Sequence, residues 1–469
     1  MRPNRRPGGA AGAAPAAARG TAAGAALRGI AAAGAAAVLL LAGCTADPPA
    51  TGGAPTGGPR TIHLYGTDGT MQNGFAAGLT DRTILRGMKG TSPLNPLPAE
   101  FRNRLLAVDP DLTDFIFAGE TYDAVVISAL AAELAGTPEP PVVRTYIATV
   151  TTGGQECTMV ADCLALARAG RDLAYRGISL RRAGFTDQGE PATASYATLH
   201  FGADGVIDED KTEFVGTGDP SRATTAEPPA PGERPSSFEV EPLRLGGLLP
   251  ETGGLSFAYP PMIAGAELAV AEINDAGGVF GVDLEWREED SGTDPDQART
   301  GLSRHVDAEV HIVIGAAASG VSEAILPDAV AARRILFSPS NTAASLSTAD
   351  HDGYYFRTAP SDVLQGEALA DIVLRDGVAK LVIVARDDPY GRGLQGNTVD
   401  ALQRFGVPAS DIELLTYGLP EDENDPVPGL PDLVDRIVAA EPDGVLVIGF
   451  SEAAQLIERM IDAGLRPRG

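Results

Sequence analysis

Between residues 238 and 469, short runs of apolar, largely β-branched residues alternate with amphipathic stretches. The runs are LRLGGLLP, VDLEWREED, VHIVIG, RILFSPS, AKLVIVARDD, IELLTYG and DGVLVIGF. Continuous apolar strands of this kind belong to a parallel sheet covered by helices on both faces. In such a sheet ligands sit outside the carboxyl ends of the strands, where loops meet helix N-termini. The loops at those places are GAAASGVSEA (315–324), SPSNTAASL (338–346), RDDPYGRG (386–393) and GFSEAAQ (449–455). Their small hydroxyl residues serve equally well as helix caps, but several such loops on strand ends favour a site, and O–H and N–H donors there suit a carboxylate.

The remainder of the chain divides by composition. Residues 45–59 and 217–237 are rich in Pro, Gly, Ser and Thr and nearly free of large apolar residues, so they read as a tether and a Pro-rich linker. Residues 60–216 and 238–469 then form two blocks. An apolar content of 44% leaves ample material for a core, and a formal net charge of −27 opposes nucleic-acid binding, which needs a basic surface. EDENDP (421–426) reads as a solvated loop.

Residues 1–44 read as a leader: arginines 2, 5, 6, 19 and 28 precede the apolar GIAAAGAAAVLLLAG, which runs into LAGC, ending at Cys44. After the leader, no stretch reaches the roughly 18 apolar residues that a membrane-spanning helix needs. Cys157 and Cys163, in GGQECTMVADCLAL, read as a disulfide in an exported chain; with no adjacent His or third Cys they make a poor zinc site. No cofactor or metal is expected.

The two ends of this sequence raise a question of order. The helix ERMIDAG is capped at Gly464, Pro467 blocks its continuation, and no further strand is expected after it, although a strand–helix alternation calls for one. A strand of that kind stands instead at RTIHLYGTDGTMQNG (60–74).

The motifs IAGAELAVAEINDAGGVFG (263–281), FSPSNTAASLS (337–347), DDPYGRGL (387–394) and FSEAAQLIERMIDAGL (450–465) carry a resemblance. Block 238–469 resembles the N-terminal two-thirds of the type I periplasmic-binding-protein family, in particular the branched-chain amino-acid (leucine/isoleucine/valine) ABC-transporter substrate-binding lipoproteins. LYGTDGTMQN (64–73), ILRGMKGTSPL (84–94), AGETYDAVVISALAAELAG (118–136) and YRGISLRRAGFTDQGEPATASYATLHF (175–201) make block 60–216 resemble the C-terminal third.

The resemblance implies a two-lobed α/β fold, each lobe a mostly parallel sheet flanked by helices, in circularly permuted order; a truncated tandem is the competing account. Lobe I is expected from 240–360 and 95–172, and lobe II from 361–469, 60–94 and 173–216. LAGC resembles the bacterial lipobox, which implies that Cys44 is the lipidated N-terminus of a chain held on the outer face of the cytoplasmic membrane; a plain secretory signal or an apolar anchor left uncut is the alternative. The implied partners are a small amino acid or similar carboxylate and an ABC permease, with the protein monomeric and in contact with the membrane through its lipid alone.

For the site, the resemblance implies that Ser319, Ser340 and Thr342 hold a carboxylate, that Asp68 holds an ammonium, and that the aromatic residues Tyr122, Tyr390 and Phe450 close over the ligand. Each has a plainer use: Asp68 in a turn before Gly69, Tyr122 in a helix core, Tyr390 packed in a turn. Phe450 stands near where the family has a tyrosine, and Phe257 and Tyr259 lie close to a further aromatic position. The segment from Gly177 to Arg182 lacks the family's Gly-Pro. Asp68 is shorter by one methylene than the glutamate of branched-chain binders, which leaves ligand identity open.

The rival class is an exported enzyme, but none of the five histidines has a nucleophile at motif spacing. There is no G-x-S-x-G, no H-E-x-x-H and no G-x-x-x-x-G-K-[ST]. Two further readings stand beside transport: a ligand sensor for a membrane signalling partner, and a non-binding remnant.

Overall fold

The computed structural model describes residues 59–232, 240–420 and 425–468; the leader with Cys44, nearly all of the tether, and most of the acidic 421–426 segment lie outside them. In chain order the first block contains β1 (Arg60–Gly66), α1 (Asn73–Ala77), β2 (Lys89–Pro93), α2 (Ala99–Val108), α3 (Ala118–Ala135), α4 (Pro140–Val143), β3 (Gln155–Cys157), α5 (Val160–Arg168), β4 (Leu173–Tyr175), β5 (Thr193–His200) and β6 (Glu213–Gly218). The second block starts with β7 (Arg244–Leu249), α6 (Tyr259–Asp275), β8 (Glu285–Asp290), α7 (Pro295–Asp307), β9 (Ile312–Gly315), α8 (Ser319–Ala331), β10 (Ile335–Ser338) and β11 (Tyr355–Arg357). It continues with α9 (Asp362–Arg375), β12 (Leu381–Arg386), α10 (Pro389–Arg404), β13 (Ile412–Tyr417), α11 (Leu430–Ala439), β14 (Gly444–Ile448), α12 (Ala453–Asp462) and β15 (Leu465–Pro467).

These elements build two lobes. Lobe I carries a parallel sheet in the order β11-β10-β9-β7-β8, and lobe II carries β13-β12-β14-β1-β2-β5-β6. Strands β9, β10, β12 and β14 are buried along their whole lengths, as an apolar run without alternation requires. Every residue of α3 is buried; its sequence is apolar nearly all round, and it packs inside lobe I against α6 and α5.

Residues 60–216 do not form a domain of their own, and the unit that contains them runs on to 469. β1 lies between β14 and β2 and pairs in parallel with both, with Leu64 opposite Val445 and Tyr65 opposite Lys89. The chain passes between the lobes after β2, after β6, between β4 and β5, and between β11 and α9. The last two passages run side by side: the Arg357 N–H donates to Gly189 O at 3.0 Å, and the Tyr196 hydroxyl to Ser361 O at 3.3 Å.

Several expectations need correction. A strand does follow Gly464: β15 is only three residues long, its length limited by Pro467, and it pairs with β1 at Arg60–Ile62. β11 is a further strand without a signal in the residues, since Tyr-Phe-Arg is too short to show a pattern. Residues 173–192 belong to lobe I, because β4 pairs with β3, and Phe185 packs on Phe337 with ring centroids 6.1 Å apart. The Gly177–Arg182 segment accordingly lies against α3, where Asp123 accepts from the Ile178 and Ser179 N–H groups at 3.0 and 2.6 Å. The linker expected from 217 begins inside β6, and its described part is docked: the Tyr146 hydroxyl donates to Ala230 O at 2.6 Å and Gly232 N–H to Leu134 O at 2.9 Å. Cys157 and Cys163 form a disulfide.

Candidate functional site

On the lobe II side the chain leaves β1 through Thr67 and Asp68, both buried. Gly69 then runs so close to the next strand's exit that a Cβ there would lie 2.1 Å from Gly449 O, so only glycine lets this turn seat against Phe450. Asp68 Oδ1 accepts from the Tyr390 hydroxyl at 2.8 Å and from Gln365 Nε2 at 2.9 Å. Since the one Tyr390 proton goes to Asp68, the 2.8 Å contact between Thr67 Oγ1 and the Tyr390 oxygen is donated by Thr67. Tyr390 is set by the start of α10, where Asp388 caps Gly391 N–H at 2.8 Å and Pro389 fills the first helical position. Its ring stacks on Phe450 at 5.3 Å, and Arg386 covers that ring at 3.6 Å while bonded to Asp388 and Glu452.

Asp362, the first residue of α9, adds a second carboxyl that the sequence reading missed. It is fully buried, and its N–H donates to Thr342 O of lobe I at 2.7 Å. Neither of its carboxyl oxygens has a hydrogen-bond partner of good geometry, though the Thr342 side chain stands close enough to act on the carboxyl, and the same turn holds two further unpartnered buried atoms, Ser361 Oγ and Gln365 Oε1. Burial pushes Asp68 above the ordinary carboxylate range despite its two hydrogen bonds. Burial, followed by the charge of Asp68, pushes Asp362 well above that range.

The lobe I side is differently built. Ser319 opens α8, and its oxygen accepts from Thr342 N–H at 3.3 Å and Ala343 N–H at 3.2 Å. Ser340 donates to Ala317 O at 3.0 Å, and the Asn341 amide reaches Ala316 O and Ala317 O at 3.0 and 2.7 Å. Beneath them Arg357, wholly buried, donates to Asn341 O at 3.2 Å and Ala343 O at 2.9 Å and forms an ion pair with Glu190. Burial alone would raise Glu190; the Arg357 guanidinium outweighs it and holds the carboxylate below its usual range. The hydroxyls that the sequence nominates are thus gathered together, and those of Ser319 and Ser340 each bond the other's loop.

The two sides touch. Ser451 N–H donates to Gly254 O at 3.3 Å, and a Cβ on Gly320 would meet Pro389 Cδ at 3.2 Å. Asp68, Tyr390 and Phe450 are brought together, and Ser319, Ser340 and Thr342 are brought together opposite them, joined through Asp362. Tyr122 is not part of this group. Its hydroxyl donates to Glu272 Oε2 at 2.5 Å and its ring meets Phe101 edge-on at 5.2 Å, because position 122 of the wholly buried α3 faces α2 and α6. Tyr259 is likewise turned away, to Glu288 at 2.7 Å. Phe117, in a left-handed conformation just before α3, shares an apolar cluster with Tyr390 and Phe450; no motif around it marks that position. Asp362 and Gln365 were hidden because SDVLQ reads as an ordinary capped helix start.

Residues 242–469 match the family model described as periplasmic binding protein. Among curated relatives, a chemotactic signal transduction system substrate-binding protein, BasB, of Halobacterium salinarum is 31% identical over 218 residues, 45% of this chain and 50% of the relative. Leu/Ile/Val-binding protein homolog 3 of Brucella melitensis is 27% identical over 227 residues, 48% and 59% of the respective chains. The chain therefore spans only about half to three-fifths of these relatives. Among solved structures, the leucine binding protein LivK of Thermotoga maritima is similar with a TM-score of 0.41 and 21% identity, over 47% of this chain and 61% of that one. LivJ of Streptococcus pneumoniae, in complex with isoleucine, has a TM-score of 0.40 and 24% identity over 48% and 62%.

Proposed function

We propose that this chain, whose residues 242–469 belong to the periplasmic binding protein family, captures a small molecule carrying an ammonium group, an amino acid in the first instance, between its two lobes for delivery to an ABC permease. The observation that carries the reading is the buried pair Asp68 and Asp362, which has no cation of its own among the described residues: Arg357, which acts on Asp362, is committed to Glu190. A buried carboxylate without a counter-charge is costly, and a ligand ammonium supplies one. The carboxylate of the same ligand would face the Ser319, Ser340 and Thr342 loops, and Tyr390 and Phe450 would pack on its body. Since these groups come from both lobes, ligand binding favours the closed arrangement.

The family and relatives matched are solute-binding proteins rather than enzymes. Two further elements belong to the proposal. One is a permuted order, supported by the position of β1 between β14 and β2 and by the docked segment that follows β6. The other is lipidation at Cys44, supported by LAGC behind a basic and apolar leader and consistent with an extracytoplasmic location. Among the described residues no helix is long and apolar enough to cross a membrane. The Halobacterium relative, named for a chemotactic signal transduction system, favours a second reading, ligand sensing for a signalling partner.

The test is a thermal-shift screen of the purified chain against amino acids, organic acids and amides. Stabilisation by amino acids supports the reading; stabilisation only by acids lacking nitrogen removes the role of the carboxyl pair. Deleting the gene and scoring uptake and taxis separately decides between transport and sensing.

A further inference from the structure

A cavity of about 320 Å3 lies on lobe I, walled by α2, α3, the residues that lead into α5, and the segment 175–181. It takes in two features that the interlobe cleft leaves unused: Tyr122, and the segment that lacks the family's Gly-Pro. Among the described residues of its wall every charged side chain is an arginine, namely Arg104, Arg176 and Arg181. The chain carries 63 acidic residues against 36 basic ones, so a wall that sampled the protein evenly would hold more acids than bases. This wall runs against the charge of its own protein.

The three arginines differ in what already holds them. Arg104 pairs with Glu272, which also accepts from the Tyr122 hydroxyl. Arg176 donates from one nitrogen to Thr151 O at 2.8 Å and Tyr175 O at 3.1 Å, and its Nε lies 3.2 Å from the exposed Glu156. Arg181 is exposed and, among the described residues, has neither a hydrogen-bond nor an ion-pair partner. A third acid, Asp123, stands behind the wall: a Cβ on Gly177 would lie 2.1 Å from its Oδ1. Asp123 accepts from the Tyr175 and Ser179 hydroxyls at 2.8 and 2.6 Å in addition to the Ile178 and Ser179 N–H groups, which fixes the segment on α3 and occupies that carboxyl. Beside the arginines the wall is mainly apolar, with Pro98, Met159 and Ile178.

We propose that this cavity is a second binding site, for a small organic monoanion that sets a carboxylate among Arg104, Arg176 and Arg181 and an apolar body on Met159 and Ile178. A guanidinium carries five N–H donors in a planar fork that fits a carboxylate, so one acceptor does not exhaust it. Two of the three charges are met by Glu272 and Glu156 and one is not, which suits a single negative charge; a cation would face three arginines. The size, at the lower end of the roughly 300–1,000 Å3 of ligand pockets, limits the ligand to about one ring with a short substituent. This site shares no residue with the Asp68 cleft, and its fate is independent of the function proposed above.

Calorimetry on the whole chain with benzoate and benzamide, probes of nearly the same shape that differ in charge, tests it. Benzoate is expected to bind tighter by roughly tenfold or more. Arg181→Glu changes an exposed side chain without a partner and should cost benzoate a similar factor at an unchanged circular dichroism spectrum, whereas Arg181→Lys, which keeps the charge, should cost roughly threefold or less. Asp68→Ala should leave benzoate binding as it is. Intermolecular nuclear Overhauser contacts from benzoate to the Met159 and Ile178 methyl groups in the unmutated protein provide evidence that no misfolded variant can obscure. The proposal is overturned if benzoate fails to bind at millimolar concentration, if benzamide binds equally well, if Arg181→Glu leaves benzoate binding unchanged, or if bound benzoate gives no contact to Met159 and Ile178, which would place the probe elsewhere.

Discussion

On the lobe I side of the cleft, Ser319, Ser340 and Asn341 bind the two loops 315–324 and 338–346 to each other over the Arg357–Glu190 ion pair, whereas on the lobe II side Asp362, Gln365 and Ser361 keep acceptor atoms without a well-formed hydrogen bond beside a second buried carboxyl. The first side is held by contacts between its own two loops, with the Ser319 O–H left as a donor. The second is complete only with a donor from elsewhere. Satisfied polar networks fix a conformation, and unsatisfied ones mark where stability has been given up, which is where ligands are held. A substitution should therefore lower stability on the lobe I side and lower affinity, at constant or rising stability, on the lobe II side.

The largest effect is expected from Arg357→Met, which leaves Glu190 buried and unpaired and should cost about 3–5 kcal/mol in denaturant unfolding. Retained stability would mean that the lobe I loops do not depend on that pair. Asp68→Ala should come next, weakening binding of an ammonium-bearing ligand by about 2–4 kcal/mol in calorimetry while leaving the unfolding midpoint near its original value.

Asp362→Asn should raise the stability of the ligand-free protein by about 1–3 kcal/mol at neutral pH, because it removes a buried carboxyl that lies beside the charge of Asp68. The pH dependence has a definite sign. Asp68 and Asp362 both titrate above their unfolded values. Their contribution to stability is therefore fully present below about pH 4, near the unfolded carboxylate pKa, and is lost as pH rises toward and through the folded values. Melting curves of the ligand-free protein should decline over that range, and Asp362→Asn should flatten the decline; an unchanged slope would show that Asp362 finds partners. The smallest effect belongs to Phe450→Tyr, which keeps the stack on Tyr390 and should change affinity by less than about 1 kcal/mol.

Much of this fold can be read from the residues. Strands such as VHIVIG and DGVLVIGF are buried on both faces, and burial on both faces is what a continuous apolar run records. The three-residue strands β3, β4, β11 and β15 leave no such record, and without β4 the residues 173–192 cannot be assigned to their lobe. Asp68, Tyr390 and Phe450 can be nominated because their motifs are distinctive. Tyr122 cannot be placed in the same way, because the direction a side chain takes from a wholly buried helix is set by its neighbours, here Phe101 and Glu272. Asp362 is hidden by a second use of the same letters: an acidic residue in the first turn of a helix needs no ligand to explain it.

The most direct test of the paired-carboxyl account is calorimetry of the unmutated chain and Asp68→Ala with an amino acid taken from the thermal-shift screen and with its deaminated analogue. The account expects the unmutated chain to prefer the amino acid by roughly a hundredfold, and Asp68→Ala to lose most of that preference by weakening the amino acid alone. Equal affinity of the unmutated chain for the two ligands, or a preference that survives Asp68→Ala, would contradict it.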